Sequence, residues 1–435
     1  MTDEIKIDEK KADKLRKKQV QPHKTIFEIK RDGTLKTNSV KNVVLILKTD
    51  KNLQNLFRYN EFTAEIDVVR DADIQTDFGL IEISKGKFTD QVSNSVELYI
   101  ESSNKYLGAA FKNQIIDQGI SNVAYMDKYN PVKDYMNKAY TLWDKKKRLD
   151  KFFHIYLGAE ENESLILITR LFFMGVVAKI YNPKVKFDFV LDLVGGQGAG
   201  KTTLLQSIAP LGLYTDQFNS FTNKDDFEVM KNAVIVNDDE MTASNAASFE
   251  EIKKFITMQQ FEYRRSYARK SERFAKKFVM TRTTNEKRHL KDRSGDRRFI
   301  SIFVNKAKQE KSPVTDLTDE YIQQLWGEAV HLYKNTKDPF LLTKGQEELL
   351  KENRNQFRYT SGLEDTLMDV LENKFKGAEF IPNTKLAFEI FADRDALSRN
   401  NKETRDIRYY MSHLGYDTGA RRWENGKAVR GFKKE

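Results

Sequence analysis

The octapeptide Gly195-Gly196-Gln197-Gly198-Ala199-Gly200-Lys201-Thr202 constrains the fold of this chain more than any other stretch. It fits G-x-x-x-x-G-K-[ST] and lies between an apolar run, Phe187 to Val194, that reads as a strand and a segment, Thr203 to Ile208, that reads as a helix. Glycines let successive backbone N–H groups curl around an anion at a helix N-terminus, where the dipole favours negative charge. A strand, phosphate loop and helix in this order call for an α/β fold, with the eight residues and Thr203 cradling the phosphates of ATP. Lys201 is then expected to reach the β and γ phosphates, and the Thr202 hydroxyl to bind Mg²⁺.

A phosphate loop alone does not separate phosphoryl transfer from hydrolysis, so the residues that follow matter. Val234-Ile235-Val236-Asn237-Asp238-Asp239-Glu240 is a β-branched strand ending in acids, which its C-terminal edge would present beside the loop. We assign Asp239 to the metal and Glu240 to polarising the attacking water, with Asp238 open as the metal acid instead. A third strand, Lys277 to Thr281, leads to Thr283-Thr284-Asn285, whose amide can orient that water, although asparagine is also a common turn cap. Arg297 and Arg298 then precede the apolar strand Phe299 to Val304. An arginine can stabilise charge on a transferring phosphoryl group, and an ion pair with Asp292 or Asp296 is the other role open to them. ATP and Mg²⁺ are the cofactors expected, with Glu240, Asn285, Arg297 and Arg298 catalytic and Thr202 and Asp239 on the metal.

Composition decides what else the chain can be. With no cysteine and five scattered histidines there is neither a disulfide nor a zinc site to expect, and any metal is held by oxygen. No segment reads as approaching the roughly 20 apolar residues of a membrane span, and the charged stretch Met1 to Lys18 is unlike a signal peptide. A cytoplasmic protein without membrane contact is expected. Net charge is +10, and between Phe261 and Arg298 fourteen Lys and Arg face five Asp and Glu, so nearly all the excess sits in one stretch. Charge concentrated in this way is the footprint of a polyanion.

Along the chain, 1–24 reads as a charged tail, 25–150 as an α+β region whose topology the sequence does not set, and 151–345 as the ATPase domain with a helical lead-in. Leu165, Ile168, Leu171, Phe172 and Val176 give that lead-in an apolar helical face. Residues 360–435 read as a helix, a strand, two helices and a hairpin, with Asn383 capping the second helix and Glu424-Asn425-Gly426-Lys427 turning the hairpin. That is the outline of a winged helix. Arg405 and Arg408 on its third helix and Arg421, Arg422, Lys427 and Arg430 on its wing would contact duplex DNA, while the same fold also serves protein contacts.

Taken together these residues resemble the virulence-associated E family, whose ATPase core is similar to that of superfamily 3 and MCM-like helicases of phages and pathogenicity islands. Asn130-Pro131-Val132-Lys133-Asp134-Tyr135, Leu142-Trp143-Asp144 and Arg148-Leu149-Asp150 look like the family's lead-in, and Arg58-Tyr59-Asn60-Glu61-Phe62 is similar as well. With the phosphate loop, the Asp-Glu pair, Thr-Thr-Asn and Gly295-Asp296-Arg297-Arg298-Phe299, the resemblance covers roughly residues 40 to 305. It implies an AAA+ core and a homo-oligomer, a hexamer in the first instance, with ATP at subunit interfaces. Lys201, Asp239, Glu240 and Asn285 would act in cis and Arg297 or Arg298 in trans. It also implies a hairpin in the central channel. Phe261 to Ala268 and Phe274 to Met280 read as its strands, with Tyr267, Arg269 and Lys270 near a tip that meets DNA, although such a hairpin can equally be a solvated subunit contact. The function expected is an ATP-dependent DNA helicase or translocase of a phage or mobile element, acting on single-stranded and forked DNA with other replication proteins. The alternative is an origin-binding initiator whose ATPase switches its assembly state. Primase activity is not expected.

Overall fold

The structure is a computed structural model that describes residues 27–106, 108–263, 271–290, 296–359, 362–424 and 426–434. Its contacts divide the chain into two compact units, Met1–Tyr135 and Met136–Glu435.

In the first unit, α1 (Val40–Thr49) begins at Ser39, whose hydroxyl accepts the Asn42 N–H at 3.3 Å. Strands β1 (Phe57–Asn60), β2 (Glu65–Val68), β3 (Ala72–Thr76), β4 (Gly79–Ile83) and β5 (Gly86–Lys87) follow, then α2 (Asp90–Ser102), α3 (Asn113–Met126) and β6 (Lys128–Tyr129). The four-stranded sheet runs β5-β2-β1-β6, with β3 and β4 forming a separate hairpin. Helix α3 lies so close to α1 that a Cβ on Gly119 would sit 2.3 Å from Val43 Cγ1, so a side chain there would push the helices apart. Leu47, Phe57, Val96, Ile116 and Ile120 fill the core between sheet and helices.

Helix α4 (Pro131–Thr141) runs across the boundary between units, and α5 (Phe152–Leu157) and α6 (Glu163–Tyr181) complete the helical lead-in. Against expectation, α6 is long and apolar enough to cross a membrane by length and composition, yet 78% of that window is buried inside the protein. It is a core helix, apolar around most of its circumference because protein covers most of it, with Arg170 on the partly exposed side. Strand β7 spans Val190–Val194, shorter than its apolar run, and the Phe187 ring ahead of it packs over Gly175 of α6, where a Cβ would lie 2.3 Å from it.

The remaining elements are α7 (Lys201–Ile208), β8 (Tyr214–Thr215), α8 (Lys224–Met230), β9 (Ile235–Asp238), α9 (Thr242–Ala246), α10 (Phe249–Thr257), β10 (Gln260–Tyr263), β11 (Glu272–Ala275), β12 (Val279–Thr284), β13 (Phe299–Phe303), α11 (Asp319–Asn335) and α12 (Lys344–Asn355). Five of the strands form one sheet in the order β13-β7-β12-β9-β8, and every pairing in it is parallel. Central strands buried on both faces read as continuous apolar runs, which is why β7, β9 and β12 were visible in the sequence. A buried ion pair crosses the sheet: Asp192 of β7 meets Arg282 of β12 bidentately at 2.7 and 2.6 Å and His289 at 2.8 Å. Burial raises the Asp192 pKa, but the guanidinium and the imidazole outweigh it and the carboxyl is held below its ordinary value.

The second strand of the basic hairpin ends earlier than the expected Met280. Strand β10 pairs with β11 from Gln260↔Ala275 to Tyr263↔Glu272, and the chain leaves the hairpin at Lys276 before β12 begins. Lys276 is buried and donates to the Phe255 and Ile256 carbonyls at 3.0 and 2.9 Å, ending α10 and fixing the base of the hairpin. Tyr267, Arg269 and Lys270, expected near its tip, lie outside the described residues.

The last segment carries α13 (Gly362–Lys374), β14 (Phe380–Pro382), α14 (Asn383–Phe391), α15 (Lys402–His413), β15 (Tyr416–Asp417), β16 (Arg421–Glu424) and β17 (Lys427–Lys434), the order expected. It has its own core of Leu367, Ile381, Leu386, Ile407, Met411 and Phe432. Asn383 does not cap α14. It is the first helical residue behind Pro382, because β14 runs straight into the helix, and no side chain caps that end. Asn425 of the final turn lies outside the described residues.

Candidate functional site

Parallel strands put their C-terminal ends on one edge of the sheet, and the turns after β7, β9 and β12 meet there. The loop after β7 has Gly198 and Gly200 in left-handed backbone, at φ 70° and 74°. A Cβ on Gly195 would lie 2.4 Å from the Val304 carbonyl oxygen, and one on Gly200 would lie 2.4 Å from Pro313. Glycine is required at both places by the chain that lies against the loop. Gly196, Gln197 and Gly198 are exposed at the mouth, and Ala199 is buried with its carbonyl accepting Gln309 Nε2 at 2.8 Å. Thr203 is half-buried on the first turn of α7.

Lys201 is buried, and its ammonium donates to the Gly195 and Gly196 carbonyls at 2.6 and 3.0 Å and to Asn285 Oδ1 at 3.1 Å. Burial pulls its pKa down, opposed by the charges of Glu240 and Asp239. The Thr202 hydroxyl donates to Asp239 Oδ1 at 2.7 Å, which also accepts Thr283 Oγ1 at 2.6 Å. Asn285 Nδ2 lies 3.4 Å from both Glu240 carboxylate oxygens. Lys201, Thr202, Asp239, Glu240 and Asn285, drawn from three separate stretches of sequence, are thus brought together.

The two neighbouring aspartates have different environments. Asp238 is buried and accepts the Ala243 and Ser244 N–H groups at 2.9 and 2.8 Å, so it anchors the start of α9, and burial raises its pKa. Asp239 faces the loop instead, with Oδ2 making no hydrogen bond among the described residues. Between them and α9 the chain turns sharply, with Glu240 and Met241 both left-handed at φ 53° and 52°. Two adjacent non-glycine residues in that region cost of order 1–3 kcal/mol each and mark a position held for a purpose. Thr283 supports it, accepting the Glu240 N–H at 3.1 Å.

The donor set fits what a phosphate loop of this kind implies. Thr202 and Asp239 offer hard oxygen atoms, suited to Mg²⁺, and Gly196 faces open space at the mouth. One more group, without a mark in the sequence, stands beside the loop. The stretch after β13 passes over the loop, and Lys306 Nζ lies 3.6 Å from where a Cβ on Gly198 would be, exposed and without a hydrogen-bond or ion-pair partner among the described residues. Lys306 thus presents a positive charge beside the exposed part of the loop. Thr283 stood in the Thr-Thr-Asn motif without a role, which its contacts to Asp239 and Glu240 supply, and Lys306 belongs to no local pattern and reaches the site only because β13 pairs with β7.

Arg297 and Arg298 are not with this group. They lie in a one-turn helix just before β13, whose register is Phe299↔Val190 through Phe303↔Val194. Five residues of parallel strand, roughly 16 Å at about 3.3 Å per residue, separate them from the phosphate loop at the other end of β7. Asp292 lies outside the described residues, and Asp296 pairs with Arg354 and Arg358 at 3.6 and 3.3 Å. On the C-terminal segment Arg405 and Arg408 are exposed on α15, and Arg421, Arg422, Lys427 and Arg430 are exposed on β16 and β17.

A family model for the virulence-associated protein E-like domain matches residues 136–359. That match starts later and ends later than the span of motifs read from the sequence. No curated protein matches the chain. Two solved structures of the NrS-1 C-terminal region, an A form apo structure and a further apo structure, are similar at 16% identity. The first covers 90% of this chain and 98% of that one with a TM-score of 0.40, and the second 87% and 96% with 0.39.

Proposed function

We infer the function from one premise, that this chain belongs to the virulence-associated protein E-like family. We propose that it is an AAA+ ATPase acting as a DNA helicase or translocase in the replication of a phage or mobile element. In this reading it hydrolyses ATP at the subunit interfaces of a ring, a hexamer in the first instance. The observation that carries the reading is the convergence on one sheet edge of Lys201, the Thr202–Asp239 pair and the Asn285–Glu240 pair.

On binding ATP, Lys201 would exchange the carbonyls of its own loop for phosphate oxygens, a change that costs little because both are acceptors for the same buried ammonium. The Glu240 carboxylate would polarise a water, and the Asn285 amide beside it would align that water with the γ-phosphate. Thr202 and Asp239 would hold a Mg²⁺, which supplies charge neutralisation at the phosphates. Arg297 and Arg298 are too far from their own loop to help there, and in this reading one of them reaches the site of a neighbouring subunit. The last segment is read as a winged helix that holds duplex DNA through the exposed arginines of α15 and the hairpin.

Purified full chain tested with ATP and forked duplex decides the matter. Hydrolysis stimulated by DNA and strand separation that disappear together in Lys201→Ala, with DNA binding retained, are expected. A chain that does not hydrolyse ATP overturns the reading. A second reading draws on those exposed winged-helix arginines: an initiator that binds one DNA site and uses ATP to switch assembly. It predicts a footprint at a specific sequence, with hydrolysis and no strand separation.

A further inference from the structure

The hairpin of β16 and β17 carries two features that are unfavourable in isolation. Trp423 is 76% exposed, although an indole is among the side chains that gain most from leaving water. Arg421 stands directly opposite Arg430 in the ladder, and like charges in facing positions destabilise a strand pair. Neither guanidinium has a hydrogen bond or ion pair among the described residues.

Both features occupy the same face. Side chains alternate along a strand, so Arg421 and Trp423 share a side of β16, and their partners Arg430 and Ala428 share that side of β17. All four are exposed. Ala428 opposite the indole is too small to cover it, which leaves a ring face open beside two cations. Arg422, one residue out of phase, belongs to the other face and lies over the Phe380 ring at 4.7 Å, so its charge is used within the segment. Close packing sets the hairpin's position: a Cβ on Gly431 would lie 2.4 Å from the Ile381 carbonyl oxygen.

A partner that repays both costs must bring anions for the arginine pair and a flat apolar face for the indole, a few ångströms apart. A nucleic-acid strand does so, with a phosphate on either side of each base. We propose that Trp423 stacks on an unpaired base while Arg421 and Arg430 hold the adjoining phosphates, which makes the tip of this hairpin a single-strand contact as well as a backbone clamp. This rests on the reading of the protein as DNA-binding.

The test is binding of labelled oligothymidylate to the full chain, with heparin as a polyanion that has no bases. Trp423→Ala is expected to weaken oligothymidylate binding about tenfold, in line with the loss of one base–aromatic stack, and Trp423→Phe to restore most of it. Heparin binding and DNA-free ATP hydrolysis are expected to stay unchanged, and the indole fluorescence of wild type to be quenched by the oligonucleotide and not by heparin. Equal oligothymidylate affinity in wild type and Trp423→Ala overturns the proposal, as does an equal loss on heparin. If Trp423→Ala instead alters the assembly state by light scattering and leaves oligonucleotide affinity intact, the face is a protein contact and the proposal is wrong. Wild type that binds no DNA at all fails the broader reading too, whereas wild type and Trp423→Ala that bind and unwind equally fail this inference alone.

Discussion

At the scale of single residues, two aspartates that are neighbours in sequence have been given different work by the direction of their side chains. Asp238 turns into the fold to hold two backbone N–H groups of α9, and Asp239 turns out to the Thr202 hydroxyl. Replacing them therefore has distinct consequences. Asp239→Asn is expected to leave the urea unfolding midpoint near that of wild type and to abolish ATP hydrolysis. Asp238→Ala is expected to lower stability by about 1–3 kcal/mol, the cost of stranding buried N–H donors, with hydrolysis falling only as far as the fold does. The contrast was half legible in the sequence. A β-branched strand ending in Asp-Asp-Glu announces carboxylates at a strand edge, but which of the two aspartates faces the loop depends on where the strand stops pairing.

At the scale of elements, the hairpin's attachment is as informative as its charge. Lys276 caps α10 from inside the protein, and burial pushes its pKa down to about 7, with nearby Lys179, itself lowered to about 8 by burial, adding repulsion. Below pH 7 the lysine is protonated both folded and unfolded, and the fold bears the full cost of the buried charge. Between about pH 7 and its ordinary value of 10.5 the unfolded chain holds the extra proton, so stability should rise with pH across that window. Melting temperatures of wild type are expected to climb by a few degrees from pH 7 to pH 9, and Lys276→Met to flatten that climb. An equal slope in both proteins would show that other groups set it. The basic run in the sequence revealed a hairpin here, but not that one of its lysines is structural, because burial is not written in a local pattern of charges.

At the scale of the whole molecule, the parallel register holds two groups of residues apart. A sheet with the phosphate loop at one end of β7 and Arg297 and Arg298 at the other cannot bring them together within one chain. In a ring, the two ends of neighbouring sheets can meet. Mixing provides the check: Lys201→Ala and Arg298→Ala are each expected to be inactive alone, and an equal mixture should regain part of the hydrolysis, since some interfaces then pair an intact loop with an intact arginine. Should Arg298→Ala be fully active alone, Arg297 becomes the residue to test in the same way.

The sequence by itself determined the phosphate loop, the strands that flank it and the α/β class, because each rests on contacts between residues a few positions apart: glycines that free the backbone, and apolar runs with the period of a buried strand. It also placed Lys201, Thr202, Glu240 and Asn285 in one site, since strand ends of a parallel sheet share an edge. Only the tertiary structure decided that Asp239 and not Asp238 faces Thr202, that Thr283 and Lys306 join them, that α6 is interior, and that the two arginines stand apart. Each of those depends on register or burial, which are set by residues far away along the chain and so leave no local mark.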